Sequence, residues 1–175
     1  AECRTGWQQL CPEGIRVYGV TAHGAHAPYM VAPADTMVAL PDELSFAAGA
    51  AISCGTGTAF GALARMGLTA RDTLVVFGQG PVGVSAVLFA HLLGSRVIAV
   101  DLSPERLALA ASLGADHTIA ANDCDPVEAI AELTGGRGAE KTLDCTGSAV
   151  ARAQAVRSTR TWGTTCLVGE GGKLD

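Results

Sequence analysis

Charge, long apolar runs and any repeated or low-complexity tract are all scarce in this chain, and each scarcity excludes something. Charged residues make up 17% of the 175 and carry a net −5 without long runs of either sign, so neither a nucleic-acid surface nor an anionic-membrane face is expected. The longest nearly apolar stretch, residues 81–93, is too short to span a bilayer and carries His91. No secretory leader is visible, because Glu2 and Arg4 interrupt the start and no apolar segment follows. The six cysteines are scattered. Without a secretory segment they read as metal ligands or buried thiols rather than a disulfide framework, which makes a reducing, cytoplasmic setting the expectation.

What the chain does have is apolar bulk and glycine. Hydrophobic residues are 49% and glycines number 22, the composition of a globular protein long enough to bury a proper core. The most informative segment is residues 74–101, where Leu-Val-Val-Phe runs into Gly78-Gln-Gly80-Pro-Val-Gly83 and a second apolar run ends on Asp101. The spacing is G-x-G-x-x-G. Gly78 lets the chain turn sharply out of a strand, Gly80 leaves no Cβ to hold a pyrophosphate off the backbone, and Gly83 lets a helix pack closely on that strand. The N–H groups at the start of that helix face the phosphates. Glycines at this spacing also occur in ordinary strand-to-helix turns. The flanking strand, the helix and the acid eighteen residues past Gly83, near the ~20 of the fingerprint, together point to a dinucleotide. An acid at Asp101 hydrogen-bonds the 2′- and 3′-hydroxyls of NAD and repels the 2′-phosphate of NADP, which favours NAD; Arg106, five residues on, softens that preference. Asp101 could equally cap the helix that begins at Pro104.

From residue 73 the pattern alternates. Strands are predicted over 74–77, 96–100, 117–120, 141–144 and 165–168, with helices over 81–93, 104–113, 126–133 and 149–158. Ser103 and Asp125 stand as caps before Pro104 and Pro126, and Gly94 and Gly114 fit helix stops. Strict alternation means an α/β fold, a doubly wound parallel sheet with helices on both faces, here five strands of a Rossmann domain over 73–175. Residues 1–45 read instead as a loop-rich all-β segment with short runs at 15–20, 27–31 and 37–39. Between the two, residues 46–72 form a linking helix pair, 46–51 and 59–66, broken around Cys54-Gly-Thr-Gly-Thr58.

At this point the residues resemble a known family, the medium-chain zinc-dependent alcohol dehydrogenases, along essentially the whole chain. Cys3-Arg-Thr-Gly-Trp-Gln-Gln-Leu-Cys11 looks like the second half of that family's structural zinc lobe, and the stretch 24–33 is similar to a strand of its GroES-like catalytic domain. Leu40-Pro41-Asp42 through Ala59 looks like its helix pair, Gly78–Gly83 like its phosphate turn, and Leu167-Val168-Gly169 like the strand end that receives the nicotinamide carboxamide. The resemblance implies an NAD-dependent oxidoreductase acting on a small alcohol or carbonyl substrate, with Cys54 a catalytic zinc ligand and Cys3 and Cys11 ligands of a structural zinc. It also implies that the chain is a central fragment of a protein about twice as long, inactive alone and able to form a homo-oligomer only when whole.

Each of these residues also has a plainer reading. A free cysteine such as Cys54 is often a small buried thiol, and Cys3 and Cys11 could be two unrelated thiols. His23 and His26 are read as solvated loop histidines, His91 and His117 carry no assigned role, and Cys124 and Cys166 look structural. The turn Cys145-Thr146-Gly147, after a predicted strand, should line the cofactor cleft, Cys145 joining Gly78, Gly80, Pro81, Val82, Gly83, Asp101, Arg106, Val168 and Gly169. Two other functions remain open: a zinc-free quinone or alkene reductase of the same superfamily, and a non-catalytic dinucleotide-binding module.

Overall fold

The structure, a computed structural model, describes residues 11–173 and divides into two compact units, Ala1–Pro41 and Asp42–Asp175. In the larger unit the strands are β1 (Thr73–Phe77), β2 (Arg96–Asp101), β3 (His117–Ala120), β4 (Ala139–Asp144) and β5 (Thr159–Leu167). All pair in parallel, in the order β3-β2-β1-β4-β5. The chain runs outward from β1 to β3, then returns past β1 to β4. That reversal opens a crevice above the carboxyl ends of β1 and β4, the topological switch point where open α/β sheets bind ligands.

The apolar runs dictate this layering. Leu74 to Phe77 and Val97 to Val100 are buried without a break, as strands covered on both faces require. Alternate residues then go to opposite cores. Leu74, Val76, Val97, Ala99 and Leu143 join Ala86, Val87 and Ala90 of α3 (Pro81–Leu92) and Leu107 and Ala110 of α4 (Pro104–Ser112). Val75, Phe77, Ile98, Val100 and Ile119 join Ile130 of α5 (Pro126–Leu133) and Ala155 of α6 (Ala149–Ser158) on the other face. Helix starts follow the local chemistry. Ser103 Oγ accepts from the Arg106 N–H and an Asp125 carboxylate oxygen from the Val127 N–H, each cap preceding a proline at the first helical position. Gly94 and Gly114 leave their helices with φ of +81° and +104°.

Two elements differ from the sequence reading. The expected break at 54–58 is absent: α1 (Phe46–Ala51), a π-helical turn at Ile52–Thr56 and α2 (Gly57–Met66) form one continuous helix. The glycines at 55 and 57 relax the helix by one residue instead of ending it, and the backbone stays right-handed throughout. This 21-residue helix has the length and hydropathy of a membrane span, which a broken pair would not. Only its second half is packed in this structure: α1 has no buried residue, whereas Ala59, Ala62, Leu63 and Met66 are buried in the layer with α3, where Phe60 meets Phe89 edge to face at 5.8 Å. The second difference is β5, which starts at Thr159 rather than 165. Ala139 pairs with Thr159 and Lys141 with Thr164, so residues 160–163 bulge opposite Glu140.

In the unit Ala1–Pro41, the runs at 15–20, 27–31 and 37–39 form no strands among the described residues, beyond an isolated bridge between Tyr18 and Ala22. β-propensity describes fitness for a ladder, but a strand exists only when a partner chain completes it. The run at 15–20 bends back on itself instead, with the Val17 carbonyl accepting from the N–H groups of Val20, Thr21 and Ala22. Tyr29, Val31 and Val38 are left exposed.

Candidate functional site

A cavity of about 450 Å3 lies at the switch point, lined by Phe77 at the end of β1 with Gly78 and Gly80 of the turn that follows, Asp101 at the end of β2 with Arg106 beyond it, and Cys145, Thr146 and Ser148 beyond β4. Each glycine of the turn has a measurable reason to be there. Gly78 sits at φ +87°, and a Cβ on it would lie 2.6 Å from Thr146 Cγ2. A Cβ on Gly83 would lie 1.8 Å from the Gly78 carbonyl oxygen, so α3 seats on the turn only without a side chain. Gly80 is different. A Cβ there would meet nothing within 4 Å, so its bareness serves no packing and faces open space beside the cavity. Gly80 is also the N-cap of α3, no side chain caps that helix, and Pro81 occupies its first position. The remaining N–H groups of the first turn are thus left for a ligand, at the positive end of the helix dipole.

Asp101 is the acidic wall of the cavity and already has work. Its Oδ2 accepts from the Gln79 N–H at 2.5 Å, and its Oδ1 from the N–H groups of Leu102 and Ser103 at 2.8 and 2.9 Å. The carboxylate therefore ties the glycine turn to the end of β2. An ionised carboxylate has about four acceptor positions, so three hydrogen bonds leave room for a donor such as a sugar hydroxyl. Ser103, not Asp101, caps α4. Arg106 lines the same cavity from α4.

The floor between β1 and β4 continues the sheet's hydrogen bonding past the strand ends. The Gly78 N–H donates to Val100 and the Cys145 N–H to Phe77, both at 2.8 Å. Burial, with help from the Asp144 carboxylate and from Cys166, pushes the Cys145 thiol up to about 12. Cys145 is accordingly a neutral wall of the cavity, not a thiolate nucleophile. Burial also raises Cys166, against the opposing charge of Arg65.

The sequence-predicted residues fall into three groups. Gly78, Gly80, Asp101, Arg106 and Cys145 line the cavity, while Pro81, Val82 and Gly83 form the first turn of α3 beside it. Val168 and Gly169 lie off the cavity wall, immediately past β5; both donate their N–H groups to the Asp144 carbonyl, at 2.9 and 3.0 Å. Cys54 is exposed in the π-helical turn. That turn is seated on α3: a Cβ on buried Gly55 would lie 3.2 Å from Pro81 Cβ, and Thr56 Oγ1 lies 3.2 Å from Ser85 Oγ. Cys11 is half-buried in the other unit, and Cys3 lies outside the described residues. Among the described residues no three His, Cys, Asp or Glu side chains come together as a metal site, so they do not complete a catalytic zinc site. A larger cavity of about 990 Å3, in the unit Ala1–Pro41, brings His23 and His26 near Arg16 and Tyr29.

Thr146 lines the cavity with Cys145, as expected of the turn after that strand, but sequence reasoning missed Ser148 and Gln154, which also line it, and the pairing of Asp144 with Arg152 behind them. The Asp-x-Thr-Gly order was a legible turn signal, since Asp144 Oδ1 accepts from both the N–H and the hydroxyl of Thr146.

Residues 81–175 match the family profile described as zinc-binding dehydrogenase. The chain is 43% identical over 176 residues to an Escherichia coli (strain K12) protein described as uncharacterized zinc-type alcohol dehydrogenase-like protein YphC, covering 99% of this chain and 50% of that one. An alcohol dehydrogenase of Geobacillus stearothermophilus is 35% identical over 167 residues, 95% of this chain and 48% of the relative. A solved structure titled NAD-dependent alcohol dehydrogenase superposes with a TM-score of 0.88 at 33% identity, over 98% of this chain and 50% of that one. The chain thus spans about half the length of the curated relatives it matches.

Proposed function

Because the chain belongs to the zinc-binding dehydrogenase family of medium-chain alcohol dehydrogenases, we propose that its cavity holds NAD and that it forms the cofactor-binding part of an NAD-dependent, zinc-containing alcohol or polyol dehydrogenase. The observation that carries this reading is Gly80. It is the one glycine of the turn whose missing Cβ leaves open space instead of relieving a clash, at an uncapped helix start facing Asp101 across the cavity. A cradle that a side chain would fill fits a pyrophosphate. The solved NAD-dependent relative supports the cofactor's identity.

When bound, NAD supplies the two-electron chemistry that no side chain has. The chain's own residues bind and orient. The first turn of α3 faces the pyrophosphate, Asp101 takes the adenosine ribose hydroxyls on its remaining acceptor position, and Arg106 lies beside them. Cys145, neutral, closes the floor without adding a charge. Past β5 the N–H groups of Val168 and Gly169 are already engaged, so what these residues offer a nicotinamide carboxamide is carbonyl oxygen, and that of Gly169 already takes Arg152. Cys54 is assigned as one ligand of the catalytic zinc, with Cys3 and Cys11 toward a structural zinc. The described residues do not complete either site. The substrate is a small alcohol or the corresponding carbonyl.

Titration with NAD and NADP tests the cofactor reading. Asp101→Gly is expected to weaken NAD binding by about tenfold, the value of one hydrogen bond to a charged acceptor, and to narrow the preference over NADP as the carboxylate's repulsion goes. Unchanged titrations for both dinucleotides would sink the ribose role.

A further inference from the structure

One nearly buried guanidinium joins two turns at the carboxyl edge of the sheet. Asp144 ends β4 and is fully buried. Its Oδ1 accepts from the Thr146 N–H and hydroxyl at 2.9 and 2.6 Å, and its Oδ2 from the Gly147 N–H and from Arg152 Nε, both at 3.3 Å. The Arg152 side chain, on α6, is 12% exposed. Its Nη2 donates to the Gly169 carbonyl and its Nη1 to the Gly172 carbonyl at 2.8 Å. The two turns it joins touch backbone to backbone. A Cβ on Gly169 would lie 2.0 Å from Gly147 N, and one on Gly147 would lie 1.9 Å from the Glu170 carbonyl oxygen.

Burying this pair is expensive, and an apolar pair of similar volume would usually hold a fold as well. α6 already packs through Ala155. What an apolar pair could not do is reach three acceptors at once from one planar group. The guanidinium sets the spacing between the turn at 144–148, whose Cys145, Thr146 and Ser148 line the cavity, and the turn at 168–172 beyond β5.

We infer that Arg152, held by Asp144, is a positioning residue: it places the Val168–Gly169 turn so that the nicotinamide end of the cofactor is received while the adenosine end binds elsewhere. The inference rests on the proposed cofactor reading. Lysine in its place would keep the charge beside Asp144, but a single ammonium cannot span the carboxylate and two carbonyls as the fork does.

The test compares NADH with ADP-ribose, which lacks nicotinamide, by calorimetric titration of the 175-residue chain. In the wild type NADH should bind more tightly than ADP-ribose. In Arg152→Lys the ADP-ribose affinity should stay within about twofold while the NADH advantage falls by about tenfold, the loss of roughly one hydrogen bond's worth of fit. Should the lysine variant fail to fold, Arg152→Gln, which keeps Asp144 and its hold on the Thr146 turn, is expected to show the same selective loss. A residue that merely holds the fold would weaken both ligands in parallel. That parallel loss, an unchanged ratio, or a wild-type ratio near one would overturn the inference. Failure of the wild type to bind ADP-ribose at all would overturn the cofactor reading itself, and the inference with it.

Discussion

Gly80 and Gly83 stand three residues apart in one turn and answer to different constraints, which makes them separable by mutation. Gly83→Ala puts a methyl 1.8 Å from the Gly78 carbonyl, a backbone clash that nothing soft can absorb. It should cost about 3 kcal/mol or more, at the upper end of overpacking. Gly80 has ordinary φ of −74° and open space around it, so Gly80→Ala should leave the denaturation midpoint within about 1 kcal/mol of wild type. The same methyl stands where the pyrophosphate is proposed to lie, so NAD affinity should fall by about tenfold or more as a phosphate contact is lost. Chemical denaturation and NAD titration on both variants check the pair. Equal loss of stability would mean that Gly80 is a packing glycine. At this scale the turn was legible from the glycine spacing read together with its flanking strand, helix and acid, because glycine requirements are local. The second duty of Asp101, holding the Gln79 N–H, was not legible, since it depends on where β2 ends relative to the turn.

At the scale of elements, periodicity and caps located the helices to within a residue or so, whereas strand limits at the sheet's edge escaped. β5 is the instructive case. Thr159 belongs to the ladder because Ala139 is its partner, and the intervening bulge carries Trp162 at φ +62°, 94% exposed. A bulky residue in left-handed backbone costs on the order of 1–2 kcal/mol, and an exposed indole recovers little of it. Trp162→Gly should therefore raise stability by about 1 kcal/mol, read as a higher midpoint in urea. A lower midpoint would show that the indole packs in solution. Glu140, beside this bulge, links β1 to β5. Burial draws its carboxyl upward, but the Thr73 N–H and the Arg160 guanidinium outweigh that and hold it below the ordinary carboxylate range. Its stabilising contribution is present above the unfolded-state pKa and is lost as pH falls through the lower folded value. The π-helical turn at Ile52–Thr56 is likewise an outcome of packing. Glycines at 55 and 57 were a fair signal for a break, but Gly55 seated on Pro81 keeps the helix whole.

For the whole molecule, every residue of both apolar cores belongs to the unit Asp42–Asp175. A ligand of its cavity should therefore stabilise that unit. At 100 times its dissociation constant NAD should add about 2.7 kcal/mol, visible as a melting temperature that climbs with the logarithm of NAD concentration. By itself the sequence determined the parallel α/β class, the helix caps and the glycine turn, because each is written in local pattern and spacing along the chain. Tertiary structure alone decided which β-prone runs became strands, since a ladder needs a partner that propensity does not supply. It likewise decided that Asp144 and Arg152 would lock two distant turns, because a buried charge has meaning only through the groups that the fold brings within reach.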